Sequence, residues 1–341
     1  MRPPAVSIIV AVLDEALVIR ETAAAIRGQD FVGPMELLFV DGMSGDGTRK
    51  LLAEIATEDD RVRVVDNPDR SQVAALNLGL RHARGDVIVQ MDAHALYPGH
   101  YVSAAVERLQ RGDTDWVTGP PVPYGTDRCS RRVAAALGSR FGTGGSDKWH
   151  VGDGEIELDS GVFGGVWRRD TLERLGGWDE RWPVNHDSEL AARYLRGDGR
   201  IVCMATLATR YIPRGSLRSL ALQYGRYGAY RARTAQHHPE TLRPSHLLAA
   251  GPAPVLLAAT KGPLRRPARA LLALYVMLAV GESIHLGARR GAREVAALTA
   301  VFATMHFGWA FGFLAGCARF GVPLRGFVTA VRSARLPFRA Q

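Results

Sequence analysis

A chain of 341 residues is long enough for two structural units, and its formal net charge of +9 is unevenly spread. Residues 210–341 carry 19 Lys and Arg against 3 Asp and Glu, a balance of +16, while residues 1–209 carry 24 against 31, a balance of −7. The long uncharged stretches of the basic part suit an anionic lipid surface and argue against nucleic acid; Cys129, Cys203 and Cys317, odd in number and widely spaced, argue against a disulfide framework or a zinc site.

In chain order, the β-branched run 6–12 predicts a strand covered on both faces. It is too short for a signal peptide and stops at Asp14-Glu15, so the acidic part is expected on the cytoplasmic side of the inner membrane. Helical spacing follows over 16–27, a second buried strand over 35–40 ending in Asp41-Gly42, and a helix over 48–55. A short strand over 62–65, a helix over 74–84 closed by Gly85, and a strand over 86–91 ending at Asp92 complete the series. This alternation predicts an α/β protein with a Rossmann-like, mainly parallel sheet, whose ligands bind beyond the carboxyl ends of the strands at a switch in strand order. Asp14, Glu15, Asp41 and Asp92 all fall at such strand ends.

The pattern loosens after Trp116: 118–123 reads as a Pro-rich turn and 138–154 as a mobile, Gly-rich loop. Helices are expected around 171–175 and 188–195. The chain then changes character. Residues 295–318 contain no Lys, Arg, Asp or Glu, enough to cross a hydrocarbon core, and 268–288 reaches spanning length if Glu282 and His285 are tolerated. Residues 247–260, with Pro252 and Pro254, suit an interfacial or re-entrant segment. The expected division is a catalytic domain over 1–230 and membrane-associated helices over 231–341, as a two-helix hairpin with both ends cytoplasmic. Basic clusters at 261–269, 289–293 and 325–339 place positive charge outside in any alternating arrangement.

Three constellations carry chemistry. Met91-Asp92-Ala93-His94 puts two side chains at a strand end on one side of the backbone, able to share a divalent cation that bridges a diphosphate. A carboxylate with an imidazole suits Mn²⁺ somewhat better than Mg²⁺. Taken alone, Asp92 can equally cap the following turn. Asp41-Gly42-Met43-Ser44-Gly45-Asp46-Gly47-Thr48 pairs a strand-end carboxylate with a Gly-rich turn that can lie close to a uracil or ribose, or it is an ordinary loop with Asp46 or Thr48 as helix cap. Asn185-His186-Asp187-Ser188-Glu189-Leu190 sets Asp187 at a helix start, where it can serve as a general base or simply cap the helix.

Together with Val6-Ser7-Ile8-Ile9-Val10, Ala75-Leu76-Asn77, Gly85-Asp86, Gly164-Gly165 with Arg168-Arg169, and Gln223-Tyr224-Gly225-Arg226-Tyr227, these segments resemble family 2 glycosyltransferases of the GT-A fold over residues 6–227. The resemblance implies that Glu15, Asp41 and Arg70 contact the donor nucleotide, that Asp92 and His94 hold a divalent cation (Mn²⁺ or Mg²⁺) on the donor diphosphate, and that Asp187 is the base of an inverting transfer. Gly164, Gly165, Gln223, Arg226 and Tyr227 would line the acceptor and donor pocket. Two departures stand out: Asp-Ala-His replaces the usual Asp-x-Asp, and Tyr227 replaces a usual Trp. The first, with Met305-His306-Phe307-Gly308-Trp309 and Gly312-Phe313-Leu314, is similar to the succinoglycan-type exopolysaccharide branch.

The expected partners are therefore a nucleotide-sugar (UDP-sugar), a lipid-linked sugar or polyprenyl acceptor, and the membrane. Two alternatives stay open: a polyprenyl-phosphate glycosyltransferase, for which Asp187 matters less because a phosphate acceptor is already ionised, and a non-catalytic, membrane-tethered sugar-binding protein. Glu282, His285 and His306 are ionisable groups on apolar helices, where packing is the commoner role and function the rarer one.

Overall fold

The computed structural model describes residues 4–161 and 164–335. Two compact units emerge: residues 1–122 with 150–211, and residues 123–149 with 212–341.

The first unit begins with β1 (Val6–Val12), α1 (Ile19–Arg27), β2 (Met35–Asp41), α2 (Thr48–Glu58), β3 (Val62–Asp66), α3 (Gln72–His82) and β4 (Val87–Asp92). All four expected strands form: β1, β2 and β4 are short, nearly continuous apolar runs that a sheet covered on both faces demands, and β3 is a half-exposed edge strand. They are followed by β5 (Ala95–Leu96), α4 (Tyr101–Gln110), β6 (Trp116–Thr118) and β7 (Pro121–Pro123). The eight-stranded sheet runs β3-β2-β1-β4 and then continues through strands contributed from later in the chain. β1 is parallel to β2, with Val12 beside Asp41, and to β4, with Ala11 beside Asp92. Strand order therefore reverses between β1 and β4, the switch point where such sheets open a crevice.

Alternation along β1 sorts the core. Val6, Ile8, Val10 and Val12 join Leu37, Phe39, Val89 and residues of α1, α2 and α4 on one face. Ile9 joins Leu38, Val40, Ile88 and residues of α3 on the other.

Two expectations change after Trp116. The segment read as a Pro-rich turn contains β7, which belongs with β5 to a small second sheet. The 138–154 region is not one loop: after α5 (Arg128–Leu137) come α6 (Arg140–Thr143) and a helical turn at Asp147–Trp149. Most of it groups with the C-terminal helices, because α5 buries Val133, Ala136 and Leu137 and its Arg132 pairs with Glu294 at 2.7 Å. The first unit resumes with β8 (Glu155–Leu158), β9 (Gly165–Arg168), α7 (Arg169–Arg174), α8 (His186–Arg196), β10 (Ile201–Met204) and β11 (Thr209–Tyr211). β9 enters antiparallel between β4 and β6, and β10 pairs parallel to β6 and antiparallel to β8.

The second unit contains α5 and α6, then α9 (Leu217–His237), α10 (Pro244–Ala250), α11 (Pro252–Ala258), α12 (Arg265–Gly287), α13 (Ala292–Phe320) and α14 (Leu324–Arg335). A boundary at residue 230 falls inside α9, whose continuous helix belongs wholly to this unit. α9 lies backbone to backbone on α13: a Cβ at Gly312 would sit 2.1 Å from Gly225 O, and one at Gly316 2.4 Å from Ala229 O. Small residues at four-residue spacing permit that approach. Segments Arg265–Arg290 and Ala292–Phe320 are long and apolar enough to cross a membrane, matching the expected 268–288 and 295–318. His306 has both ring nitrogens engaged, with Tyr275 Oη at 3.1 Å and Phe141 O at 3.2 Å, a packing role.

Candidate active site

The carboxyl edge of the sheet gathers the acidic strand ends. Asp41, fully buried at the end of β2, accepts from Ser44 N–H at 3.1 Å and Ser44 Oγ at 2.6 Å. Arg49 reaches Asp41 at 3.3 Å and Asp66, at the end of β3, at 2.9 Å.

The loop after β1 is laced to the loop after β2. Asp14 N–H donates to Ser44 Oγ at 2.9 Å and Asp14 Oδ1 accepts from Gly45 N–H at 2.8 Å. Glu15 N–H donates to Thr48 Oγ1 at 2.9 Å, and Ala16 N–H to Asp46 at 3.0 Å. The Thr48 hydroxyl and the Ala16 N–H hold the Asp46 carboxyl below its ordinary range. So Asp46 is a strut between two loops as well as a partner of the α2 start. These ties explain why α1 begins at Ile19 rather than at 16.

Arg70 joins the same lattice. Its guanidinium donates to Met43 O at 2.9 Å and stands 3.8 Å from Asp14. Asp14, Met43 and Arg70 have φ of 54°, 57° and 54°, so three non-glycine residues in the left-handed region lie on three adjacent loops. Such conformations cost energy, and clusters of them mark functional sites.

Beyond β4, Asp92 N–H donates to Tyr97 Oη at 2.9 Å. His94 Nδ1 lies 3.1 Å from Glu15 Oε1, which orients the imidazole from the β1 side of the switch point. Burial pushes the Asp92 carboxyl above its ordinary range; the charges of His94 and His186 oppose that shift, and Asp187 adds to it. Asp92 and Asp187 are thus close enough to influence one another although they are 95 positions apart in the chain. Burial, and next to it the charge of Asp92, likewise raises the Tyr97 hydroxyl.

Asp187 lies in the first turn of α8, after Asn185 at φ 62°. A Cβ at Gly161 would come within 2.3 Å of Asp187 O, so the strand-connecting segment must be glycine where it passes this turn. Gly164 (φ 70°) directly precedes β9, whose first residue, Gly165, pairs with Gln90 of β4. Gln223, Arg226 and Tyr227 sit on α9 in the second unit, where Gln223 Nε2 donates to Tyr227 Oη at 3.0 Å and Arg226 and Tyr227 are exposed.

Several participants carried no assigned role in the sequence reading: Arg49, Asp66, Tyr97 and His186. Of these, His186 had a usable signal, standing directly before Asp187 at a helix start; its Nδ1 is buried with no hydrogen-bond partner among the described residues.

As a carboxylate and an imidazole, Asp92 and His94 are chemically suited to a divalent cation. Among the described residues no three His, Cys, Asp or Glu side chains converge on one point. Asp92 and His94 therefore offer a carboxylate and an imidazole, leaving the other coordination positions to ligand oxygens and water. The half-buried Asp92 carboxyl, raised above its ordinary range, suits a neighbouring positive charge.

The mainly parallel sheet, with flanking helices and acidic residues gathered at its strand ends, is the GT-A fold of glycosyltransferases. Residues 7–171 match the family described as Glycosyl transferase family 2. The chain is 30% identical over 281 residues to the succinoglycan biosynthesis protein ExoA of Rhizobium meliloti (strain 1021), covering 81% of this chain and 84% of that one. It is 30% identical over 113 residues to an undecaprenyl-phosphate 4-deoxy-4-formamido-L-arabinose transferase of Pectobacterium carotovorum subsp. carotovorum (strain PC1), covering 31% of this chain and 34% of that one. A solved structure, the mannosyltransferase PcManGT from Pyrobaculum calidifontis in complex with GDP-Man and Mn²⁺, is similar with a TM-score of 0.56 at 25% identity, covering 89% of this chain and 87% of that one. The chain belongs to the family 2 glycosyltransferases.

Proposed function

We propose that this enzyme moves a sugar, with inversion, from a nucleoside-diphosphate sugar to a hydroxyl of a lipid-linked glycan at the cytoplasmic face of the inner membrane, in polysaccharide or cell-envelope synthesis. What carries this reading is the gathering of Glu15, Asp41, Asp92 and His94 at the carboxyl edge of the sheet, with His94 3.1 Å from Glu15 across the switch point; the charge of Asp187 acting on Asp92 agrees with it. The succinoglycan role of the Rhizobium relative supports the polysaccharide assignment, and the GDP-Man and Mn²⁺ bound to PcManGT support a nucleotide-sugar donor and a metal.

In this reading Glu15, Asp41 and Arg70 bind the nucleotide, and the laced loops hold them in place before the donor arrives. Asp92 and His94 would hold the divalent cation, which when bound supplies neutralising charge to the diphosphate. Asp187 takes the proton of the acceptor hydroxyl. The acceptor oxygen bonds to the anomeric carbon from the face opposite the diphosphate, and the anomeric C–O bond breaks as the nucleoside diphosphate leaves. The same reading assigns substrate-binding roles to Gly164 and Gly165 and to Gln223, Arg226 and Tyr227.

The test is a donor screen with UDP- and GDP-sugars on membrane preparations containing Mn²⁺, following nucleotide release against Asp92→Ala. Release that depends on Asp92 supports the proposal; equal release from both proteins defeats it. The similarity to the undecaprenyl-phosphate transferase favours a second reading, in which the acceptor is a polyprenyl phosphate. Asp187→Asn separates the two: a loss of about 10²–10⁴-fold in kcat marks a hydroxyl acceptor, and a loss below about tenfold a phosphate.

A further inference from the structure

The two long apolar helices of the second unit are arranged as an antiparallel pair. Gly287 lies against Leu298, Thr299 Oγ1 donates to Ser283 Oγ at 3.0 Å, and Tyr275 meets His306 further along. Length and composition alone would send this hairpin through a bilayer. What covers α13 argues otherwise.

Along its first half α13 is clad by α5 and α6: Arg132 pairs with Glu294, a Cβ at Gly142 would meet Phe302, and Phe141 O meets His306. Along its second half it is clad by α9, from Gly308 against Ala221 to Gly321 against Gln236, and the Arg233 guanidinium stands 5.1 Å over the Phe320 ring. α9 carries Arg218, Arg226, Arg231 and Arg233; α5 carries Arg128, Arg131 and Arg132. Arg128, Arg131, Arg218 and Arg226 are exposed.

From Glu294 to Gly321 the helix axis runs about 40 Å, whereas a hydrocarbon core is about 30 Å thick. Whichever part of α13 lay in that core, a helix studded with arginine would have to lie in it too, at a depth where arginine is costly.

α12 is different. It buries only the stripe Ala268, Ala279, Ser283 and Gly287, and exposes Leu271, Leu274, Val276, Met277, Leu278 and Ile284. Its uncharged stretch, 270–281, is about 18 Å long, close to the depth of one leaflet and short of a full crossing. α14 repeats the pattern on a smaller scale, with Leu324, Val328 and Val331 exposed beside Arg325 and Arg332. The basic clusters supply an independent argument. Lys261, Arg265, Arg266 and Arg269 precede α12 or open it, Arg289, Arg290 and Arg293 form the turn, and Arg319 and Arg325 follow. A through-membrane hairpin strands the turn cluster outside, against the usual bias; a hairpin held in one leaflet keeps all three clusters on the anionic side.

We infer that α12 alone enters the membrane, and only its cytoplasmic leaflet, while α13 stays at the surface: the exposed face of α12 is the lipid-binding surface, its partner is an anionic bilayer, and the Arg289–Arg293 turn stays on the same side as the rest of the chain. This rests on the membrane association proposed above. The test uses the full chain with Cys129→Ser, Cys203→Ala and Cys317→Ala, and a single new thiol at Lys261→Cys or Arg289→Cys, both exposed positions. Sealed membrane vesicles of either orientation are treated with a membrane-impermeant maleimide, and detergent-solubilised protein defines full labelling. Both thiols should react in inside-out vesicles and neither in right-side-out ones. Labelling of Arg289→Cys from the right-side-out face overturns the inference while leaving membrane association intact. Recovery of the protein in the soluble fraction overturns both. Met277→Glu should weaken flotation with phosphatidylglycerol-containing vesicles about tenfold; undiminished flotation removes the α12 face from the contact.

Discussion

Glu15 and His94, on loops 79 positions apart, meet at 3.1 Å between Glu15 Oε1 and His94 Nδ1 across the β1–β4 switch point. A proton on Nδ1 shared with Glu15 leaves the lone pair of the imidazole on Nε2, the tautomer a metal ligand requires. If His94 holds the cation as proposed, Glu15 positions that imidazole in addition to any contact with the nucleotide.

Glu15→Ala should therefore weaken the enzyme toward its cation by about 10–100-fold. Titrating Mn²⁺ against nucleotide release measures this. Activity should return at high Mn²⁺; a variant whose cation dependence is unchanged would remove Glu15 from the metal's surroundings.

Asn77 clamps a distant turn. Its Nδ2 donates to Trp178 O at 2.8 Å and its Oδ1 accepts from Trp178 N–H at 2.9 Å. Gly177, at φ 71°, would bring a Cβ to 2.6 Å from that oxygen. Trp178 is buried in the same core as α3 and leads toward α8. Asn77→Leu should cost about 1–3 kcal/mol by leaving main-chain groups without partners, read as a lower thermal midpoint. Asn77→Asp should recover part of it, since one oxygen still accepts from Trp178 N–H.

Asp59 makes the fold sensitive to acid. Its carboxylate accepts from the Arg61 guanidinium at 2.8 and 3.0 Å, from Arg61 N–H at 3.0 Å and from Arg27 at 2.9 Å. The Arg61 side chain foremost, and then Arg61 N–H and Arg27, hold the carboxyl far below the usual aspartate range despite partial burial. The folded state thus prefers the ionised form more than the unfolded chain does. That stabilisation is complete above about pH 4, the ordinary aspartate range, and fades as pH falls further. Asp59→Asn should lower stability by about 1 kcal/mol at neutral pH, and the difference from the parent protein should shrink progressively below about pH 4 in denaturant titrations. A gap that is constant with pH would mean the pair contributes nothing through its charge.

Much of the catalytic core was legible in the chain itself. β1, β2 and β4 are short apolar runs with an acidic residue at or just past the end, and a strand buried on both faces leaves few other arrangements for such runs. That pattern alone puts Glu15, Asp41 and Asp92 on one edge of the sheet. β6, β8 and β10, of 3, 4 and 4 residues, are too short to show a period, and β9 reaches β4 only because the chain returns from 73 positions away.

What the sequence by itself determined was the order of strands and helices, the carboxylates at their ends, and the apolar length of α12 and α13, because each depends on neighbours within a few residues. Tertiary structure alone decided the rest. It brought His186 and Asp187 toward Asp92, laced the loops of Asp14, Met43 and Arg70 into left-handed backbone, moved 123–149 into the helical unit, and set arginine-bearing helices along α13. Those are relations between segments far apart in the chain, fixed by packing, and local composition does not encode them.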